Sequence, residues 1–177
     1  NPNNPGGFLY SKEDLTRIYD LCRKHDVFFL MDEAYSDFVI DEGFVSLASI
    51  ADNMANAIVI NSFSKNFGIS GWRLGYAITD PRLLPVMVKL NQHIITCAPT
   101  ILARYVEFYF DKLIENSLPQ VKELVRKRMT IKKEMDRLGI EYMEGSATFY
   151  LFVSIGQFSG TSTEFALNLL LKHNISV

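Results

Sequence analysis

The sequence has little cysteine, no long apolar run and no large excess of either charge. Its two cysteines, Cys22 and Cys97, are too few for a disulfide-stabilised scaffold and are typical of a protein in a reducing cytoplasm. No apolar run reaches the roughly 18 residues that a membrane span needs. A net charge of −2 gives no electrostatic reason to expect nucleic acid or an anionic membrane as a partner. We therefore expect a cytoplasmic protein that binds neither.

Metal-binding patterns are missing as well. His93 has no histidine, cysteine or carboxylate at ligand spacing, so the sequence predicts no metal site. The composition, 48% hydrophobic and 21% charged, is typical of a globular domain that is large enough to bury a core. The sequence has no initiating methionine and opens in a turn-like segment, residues 1–7, so we expect it to be a fragment of a longer protein.

Two apolar runs, residues 27–31 and 57–60, predict parallel strands that are covered on both faces. Polar residues follow each run, and open α/β sheets bind their ligands at the carboxyl ends of such strands. After the second run come Ser62, Ser64, Lys65 and Arg73. Two hydroxyls and a guanidinium suit a phosphate monoester, and an amine beside them could form a Schiff base with an aldehyde. A lysine in a loop is otherwise most often a solvated surface charge.

Asp32 follows the first run, and Tyr35 lies three residues further on. On its own, Asp32 is as easily interpreted as a helix cap or a loop charge. The turn Asn4-Pro5-Gly6-Gly7 likewise has an ordinary interpretation as a surface turn. The sequence around these residues leaves the alternatives open.

The segments Ser62-Phe63-Ser64-Lys65 and Gly71-Trp72-Arg73-Leu74-Gly75-Tyr76 resemble the lysine segment of fold type I, pyridoxal-phosphate-dependent aminotransferases of classes I and II. The resemblance implies that Lys65 bonds covalently to pyridoxal 5'-phosphate and later moves a proton at the substrate's α-carbon. It also implies that Asp32 pairs with the cofactor's ring nitrogen. The resemblance further implies that Ser62 and Arg73 hold the phosphate and that Asn4 and Tyr35 donate to the ring oxygen. Ser64, the second hydroxyl beside Lys65, is also expected to bind the cofactor. Lys65, Asp32 and Tyr35 are the expected catalytic residues. Gly6 departs from the family motif, which usually has threonine there.

The rest of the sequence predicts an α/β fold with a mostly parallel, helix-flanked sheet and the start of an α+β small domain. We expect a helix that is capped by Ser11, a loop and surface helix over 36–56 with a turn at 41–43, and a strand over 74–78. Further helices are predicted over 81–93, over 100–115 and over 117–138, the last with a capping-box pattern at 117–120 and Gly139 as its stop. A final helix from 162 to about 173 is predicted after a cap at Thr161 with Glu164 three residues on, and a strand over 148–154. The expected domains are residues 1–115 and 116–177.

The resemblance implies transfer of an amino group between an amino acid and a 2-oxo acid in a homodimer. A decarboxylase or β-lyase, or a cofactor-sensing domain of a transcription regulator, would keep the same residues and remains an alternative. In the family, the phosphate loop and the ring-stacking aromatic would precede residue 1, and the substrate-binding arginine would follow residue 177. We therefore expect residues 1–177 alone to bind the cofactor weakly and to self-associate through exposed apolar surface.

Overall fold

A three-stranded sheet forms the centre of the first half of the chain. The computed structural model describes residues 1–39, 43–156 and 158–177, so the predicted turn at 41–43 lies mostly outside the described residues. The strands are β1 (Phe29–Asp32), β2 (Ala57–Ser62) and β3 (Gly75–Thr79), in the order β1-β2-β3. β1 and β2 are parallel, as predicted, and β2 and β3 are antiparallel.

Helix α1 (Lys12–Lys24) covers one face of this sheet. Its N-cap is Ser11, whose side chain accepts from the amide of Asp14, which confirms the predicted cap. Leu15 and Tyr19 of α1 are buried against Met31, Ala57 and Val59 of the sheet. The sequence did not predict that Tyr19 would face the core. The ring can be buried without leaving its polar end unpaired, because the hydroxyl donates to the carbonyl of Ala55 at 2.8 Å.

The structure corrects the expectation that the first strand is covered on both faces. Val27 and Phe28 precede the strand and are half exposed, and Leu30 within it is 55% exposed. Met31, which points to the opposite face, is buried. Alternate side chains of a strand face opposite sides, so only the side that α1 covers is protected here.

The segment from 44 to 56 contributes more to the core than a surface loop would. Two short 3₁₀ helices lie in it, Leu47–Ser49 and Asp52–Met54. Leu47 is fully buried and Ala51 is buried beside it, and both belong to the same cluster as Leu15 and Val59. This segment therefore closes the core at the edge of the α1-covered face.

The remaining helices are α2 (Phe63–Asn66), α3 (Leu84–Ile94), α4 (Thr100–Leu138) and α5 (Ser162–His173), with a 3₁₀ turn at Ser70–Trp72. Helix α5 begins with the predicted capping box between Thr161 and Glu164. Helix α4 ends at Gly139 in the left-handed conformation, also as predicted. Within the described residues, no helix has the length and apolarity that a membrane crossing requires.

Two sequence predictions for residues 100–154 were wrong. The break predicted between 100–115 and 117–138 is not there: α4 is kinked earlier, at Tyr109, where the backbone angles are non-helical, and Pro119 lies inside the helix. Pro119 removes a hydrogen bond to the carbonyl of Glu115, and that residue is exposed, so water can bond the carbonyl instead. The strand predicted over 148–154 is also not formed. Only one isolated bridge, between Tyr142 and Val153, occurs there, and Thr148 has a positive φ of 65° that interrupts an extended run.

Candidate active site

The carboxyl ends of β1 and β2 lie side by side and bring the predicted polar residues to one edge of the sheet. Asp32 pairs in register with Ile60, two residues before Ser62, and the amide of Glu33 donates to the carbonyl of Ile60 at 2.7 Å. Across β2, Ser62 pairs in register with Gly75, two residues after Arg73. The sheet thus places Asp32, Ser62 and Arg73 at neighbouring positions along its edge.

Lys65 lies in the single helical turn α2 rather than in a loop, which corrects the sequence interpretation. Ser62 is the N-cap of this turn, and its Oγ accepts from the amide of Ser64 at 3.2 Å. Phe63 donates its amide to the carbonyl of Leu74 at 3.2 Å, so the turn is tied to the segment that carries Arg73. Lys65 is exposed.

Arg73 has a left-handed backbone, with φ 55° and ψ 45°, directly after the 3₁₀ turn. Its Nη1 donates to the carbonyl of Ser70 at 2.9 Å, and the residue is exposed. The backbones of β2 and β3 approach each other closely just after Arg73. A β-carbon at Gly75 would lie 2.6 Å from the carbonyl oxygen of Asn61. The glycine therefore allows β3 to pair closely with β2 directly after the segment that carries Arg73.

Two buried asparagines hold the strand ends and α2 in place. Asn61 donates to the hydroxyl of Ser36 at 3.2 Å and accepts from the amide of Ser62 at 2.7 Å. Asn66 donates to the carboxylate of Asp37. The bonds from Asn61 to Ser36 and from Asn66 to Asp37 join the lysine segment to the loop that follows β1. The sequence did not mark these two asparagines, since neither lies in the segments that resemble the aminotransferase motif.

Asp32 is an exposed carboxylate whose Oδ1 accepts from the amide of Ala34 at 2.9 Å. This bond fixes the side chain at the end of β1 and leaves Oδ2 available. Its neighbour Glu33 points the other way, into the protein, where its Oε1 accepts from the amide of Leu47 at 2.8 Å. Burial raises the pKa of Glu33, and the bond from Leu47 partly offsets this rise. Glu33 is therefore a buried structural residue that points away from Asp32 and the other polar residues at the strand ends.

Asn4 and Tyr35 meet although 31 residues separate them. Nδ2 of Asn4 donates to Oη of Tyr35 at 3.4 Å, and Oη of Tyr35 lies 3.0 Å from Oη of Tyr150. The ring of Tyr35 is buried, and Phe38 and Phe149 pack edge-on against it. Burial raises the pKa of Tyr35 above the ordinary value for a phenol, and the hydrogen bond with Tyr150 raises it further. Tyr35 therefore keeps its proton and can donate it in a hydrogen bond.

The turn that carries Asn4 is attached to a distant segment of the chain. The amides of Ser146 and Ala147 both donate to the carbonyl of Gly7, at 2.9 and 2.8 Å. Gly7 has a φ of +73°, and a β-carbon at Gly145 would collide with the backbone oxygen of Gly6. The close approach of the two backbones thus depends on glycine at these positions.

A buried arginine holds this distant segment. Arg128 of α4 donates from Nε to the carbonyl of Tyr150 and from Nη1 to the carbonyl of Gly145, each at 2.6 Å. It is 2% exposed, and burial lowers its pKa. Neither Arg128 nor Tyr150 was predicted as a site residue. No local pattern marked them, because their partners lie 17 or more residues away.

Comparison with known proteins identifies the family. The sequence matches the model of aminotransferase class I and II over residues 1–177. The chain belongs to this family. It is 31% identical to an aspartate aminotransferase of Pyrococcus abyssi over 99% of the chain, and 32% identical to aromatic-amino-acid aminotransferase 2 of Thermococcus litoralis over 97%. These alignments cover 46% and 44% of the two relatives, so the chain spans somewhat under half their length.

The fold agrees with that of solved aminotransferases. The crystal structure of an aromatic aminotransferase from Pyrococcus horikoshii matches with a TM-score of 0.89 and 28% identity. The match covers 99% of the chain and 48% of that structure. The α/β fold predicted from the sequence, that of the fold type I transferases, is thereby confirmed.

The residues at the strand ends also suit the cofactor that the sequence resemblance implied. Ser62, Ser64 and Arg73 supply hydroxyl and guanidinium donors for a phosphate, and Lys65 supplies an amine. Asp32 offers a carboxylate and the Asn4–Tyr35 pair offers two hydrogen-bond donors, as a pyridine ring with a phenolic oxygen requires. Among the described residues, no group of three His, Cys, Asp or Glu side chains is placed so that it could hold a metal ion.

Proposed function

We propose that the complete protein containing this chain is a pyridoxal-phosphate-dependent aminotransferase, which moves an amino group between an amino acid and a 2-oxo acid. The observation that carries the proposal is the convergence of Lys65, its hydroxyl neighbours and Arg73 with Asp32 at the ends of two parallel strands. Membership of the aminotransferase family supports it. When bound, the cofactor supplies a conjugated ring that withdraws electrons from the substrate's α-carbon.

Each residue has a role that follows from its chemistry. Lys65 would hold the cofactor through its amine, and the same amine would move a proton at the substrate's α-carbon. The carboxylate of Asp32 stabilises a positive charge on the ring nitrogen. Arg73, Ser62 and Ser64 hold the phosphate, and Asn4 and Tyr35 donate to the ring oxygen.

The substrate class is proposed only as amino acids and 2-oxo acids. The relatives at 31% and 32% identity carry the names of an aspartate and an aromatic-amino-acid enzyme, so identity alone selects neither. Their names do support amino-group transfer over the decarboxylase, lyase and regulator alternatives. We also propose that α4 joins a large domain, residues 1–115, to the beginning of a small domain, residues 116–177.

A cytoplasmic homodimer is proposed for the complete protein. Large apolar side chains on α3 and α4 support an assembly, since Ile94, Ile101 and Phe108 are each more than 75% exposed. Sedimentation of the complete protein should give the mass of two chains, and a monomer at micromolar concentration would contradict this part of the proposal.

The activity is tested with the complete protein, a panel of amino acids and a panel of 2-oxo acids. At least one pair should yield the exchanged amino acid and 2-oxo acid in equal amounts. Lys65→Ala should lower kcat by at least about a thousandfold, whereas Lys12→Ala, at an exposed position in α1, should leave it unchanged. Release of carbon dioxide without amino transfer, or full activity of Lys65→Ala, would refute the proposal.

A further inference from the structure

Tyr150 is the residue at this site that neither a motif nor the proposed chemistry accounts for. Its hydroxyl lies 3.0 Å from that of Tyr35, which is itself within 3.4 Å of Nδ2 of Asn4. The two tyrosine rings are nearly perpendicular, with centroids 5.8 Å apart, and both contact Phe149. Three segments that are far apart in sequence therefore meet at one pair of phenolic oxygens.

The position of Tyr150 is fixed through its backbone as well as through its ring. Nε of Arg128 donates to the carbonyl of Tyr150 at 2.6 Å, and the amide of Tyr150 donates to Oγ1 of Thr148 at 3.3 Å. Thr148 and Arg128 are both almost fully buried. A side chain whose backbone is held on both sides can present its hydroxyl at a defined place.

The hydroxyl of Tyr35 would otherwise have freedom to rotate. Its bond with Asn4 is long at 3.4 Å, whereas the 3.0 Å contact with Tyr150 is a normal hydrogen bond. A phenol can donate one hydrogen bond and accept others. If Tyr35 donates its hydrogen bond to the ring oxygen of a cofactor, the hydroxyl of Tyr150 can still donate to the oxygen of Tyr35 and so hold its orientation.

We propose that Tyr150 is a positioning residue: its hydroxyl orients the hydroxyl of Tyr35 toward the ring oxygen of the bound cofactor, and Arg128 holds Tyr150 in the place where it can do so. The inference rests on the proposed function, because it assigns Tyr35 to the ring oxygen. It adds a residue from the second half of the chain to a site whose other members all lie before residue 74.

Tyr150→Phe in the complete protein removes the hydroxyl and keeps the ring contacts. We expect it to weaken the binding of pyridoxal phosphate to the cofactor-free protein by about threefold to tenfold, as the loss of one hydrogen bond would. The matched control is Tyr142→Phe, which removes a hydroxyl that donates to Asp136 at 2.7 Å at a position away from Tyr35. This control should bind the cofactor as the wild type does.

A double-mutant cycle separates positioning from a general structural effect. If Tyr150 acts through Tyr35, the loss caused by Tyr150→Phe should disappear when Tyr35→Phe is already present. The same cycle, measured by urea unfolding of the cofactor-free proteins, should give a coupling between Tyr35 and Tyr150 and none between Tyr35 and Tyr142. Thermal unfolding of each variant checks that it is folded.

Two results would overturn the inference while leaving the proposed function intact. In the first, Tyr150→Phe binds the cofactor as tightly as Tyr142→Phe does. In the second, its loss of affinity is the same with and without the hydroxyl of Tyr35, as a purely structural role would give. If the wild-type protein does not bind pyridoxal phosphate at all, the proposed function and this inference both fail.

Discussion

The core and the candidate site are distributed differently between residues 1–80 and residues 81–177. The first region contains most of the buried apolar side chains and every site residue that the sequence predicted. In the second region, neither α3 nor α5 has a buried residue. Its buried residues lie in α4 and in the segment after it. Val121 and Val125 of α4 pack against Tyr35 and Phe38, and Arg128 holds the segment of Tyr150.

This difference indicates which parts of the chain depend on each other. The first region has a sheet with one covered face and can position Asp32, Ser62 and Lys65 through its own hydrogen bonds. The second region has long helices with exposed apolar faces, and α4 and the segment after it contact the first region around Tyr35. Its part in the site thus depends on a few contacts, and these can be removed one at a time.

The largest expected effect comes from a cavity in the first region. Leu15→Ala deletes a fully buried side chain of the core cluster and should lower the free energy of unfolding of residues 1–177 by about 2–5 kcal/mol. Leu171→Ala, at a position in α5 that is 77% exposed, should change it by less than about 0.5 kcal/mol. Urea unfolding measures both. Similar losses for the two variants would contradict the division into a packed and a sparsely packed region.

Arg128→Met should have the next largest effect. It leaves the carbonyls of Tyr150 and Gly145 without their donor and should lower the free energy of unfolding by about 1–3 kcal/mol. Arg137→Met is the control on the same helix, because the pair that Arg137 forms with Glu134 is exposed and worth less than about 1 kcal/mol. If both variants unfold alike, Arg128 does not hold the second region to the first.

The two helix caps sharpen the comparison further. Ser11→Ala and Thr161→Ala remove equivalent hydrogen bonds at the starts of α1 and α5. Since α1 packs in the core, Ser11→Ala should lower global stability by about 1 kcal/mol. Because α5 has no buried residue, Thr161→Ala should mainly speed hydrogen exchange within α5, with a global loss of less than about 0.5 kcal/mol. Hydrogen exchange beside urea unfolding checks this, and a larger global loss at Thr161 would contradict it.

The smallest effect concerns Glu33 and depends on pH. Burial raises its folded-state pKa, so the folded protein binds this proton more tightly than the unfolded chain does. The resulting stabilisation is complete below the ordinary pKa and is lost as the pH rises through the folded-state value. Relative to Glu33→Gln, the wild type should therefore lose stability as the pH rises above the ordinary pKa of a glutamate. The opposite slope for Glu33 would show that its carboxylate is stabilised instead.

Features that depend on neighbouring residues could be predicted from the sequence. The caps at Ser11 and Thr161 and the terminal Gly139 act within one helical turn, and the structure has all three. Strands β1 and β2 were predicted from short apolar runs to within two residues at each end. The site residues Ser62 to Arg73 fall in one continuous motif.

Features that depend on distant contacts could not be predicted. The apolar residues from 149 to 153 have the composition of a strand, but a strand also needs a partner along its length, and here only Val153 is bridged. Residues 117–120, which include Pro119, were interpreted as the start of a helix, although the exposed turn before Pro119 tolerates a lost hydrogen bond. The roles of Arg128 and Tyr150 arise only when the chain brings positions 128, 145 and 150 next to positions 7 and 35.

The central claim, that Lys65 is the residue that binds the cofactor, is tested most directly by trapping the covalent bond. The complete protein is incubated with pyridoxal phosphate, reduced with borohydride, digested with trypsin and examined by mass spectrometry. A modified Lys65 blocks cleavage, so the added mass should appear on a peptide that runs from His25 to Arg73. Modification of a different lysine, with the peptide from His25 ending unmodified at Lys65, would contradict the account.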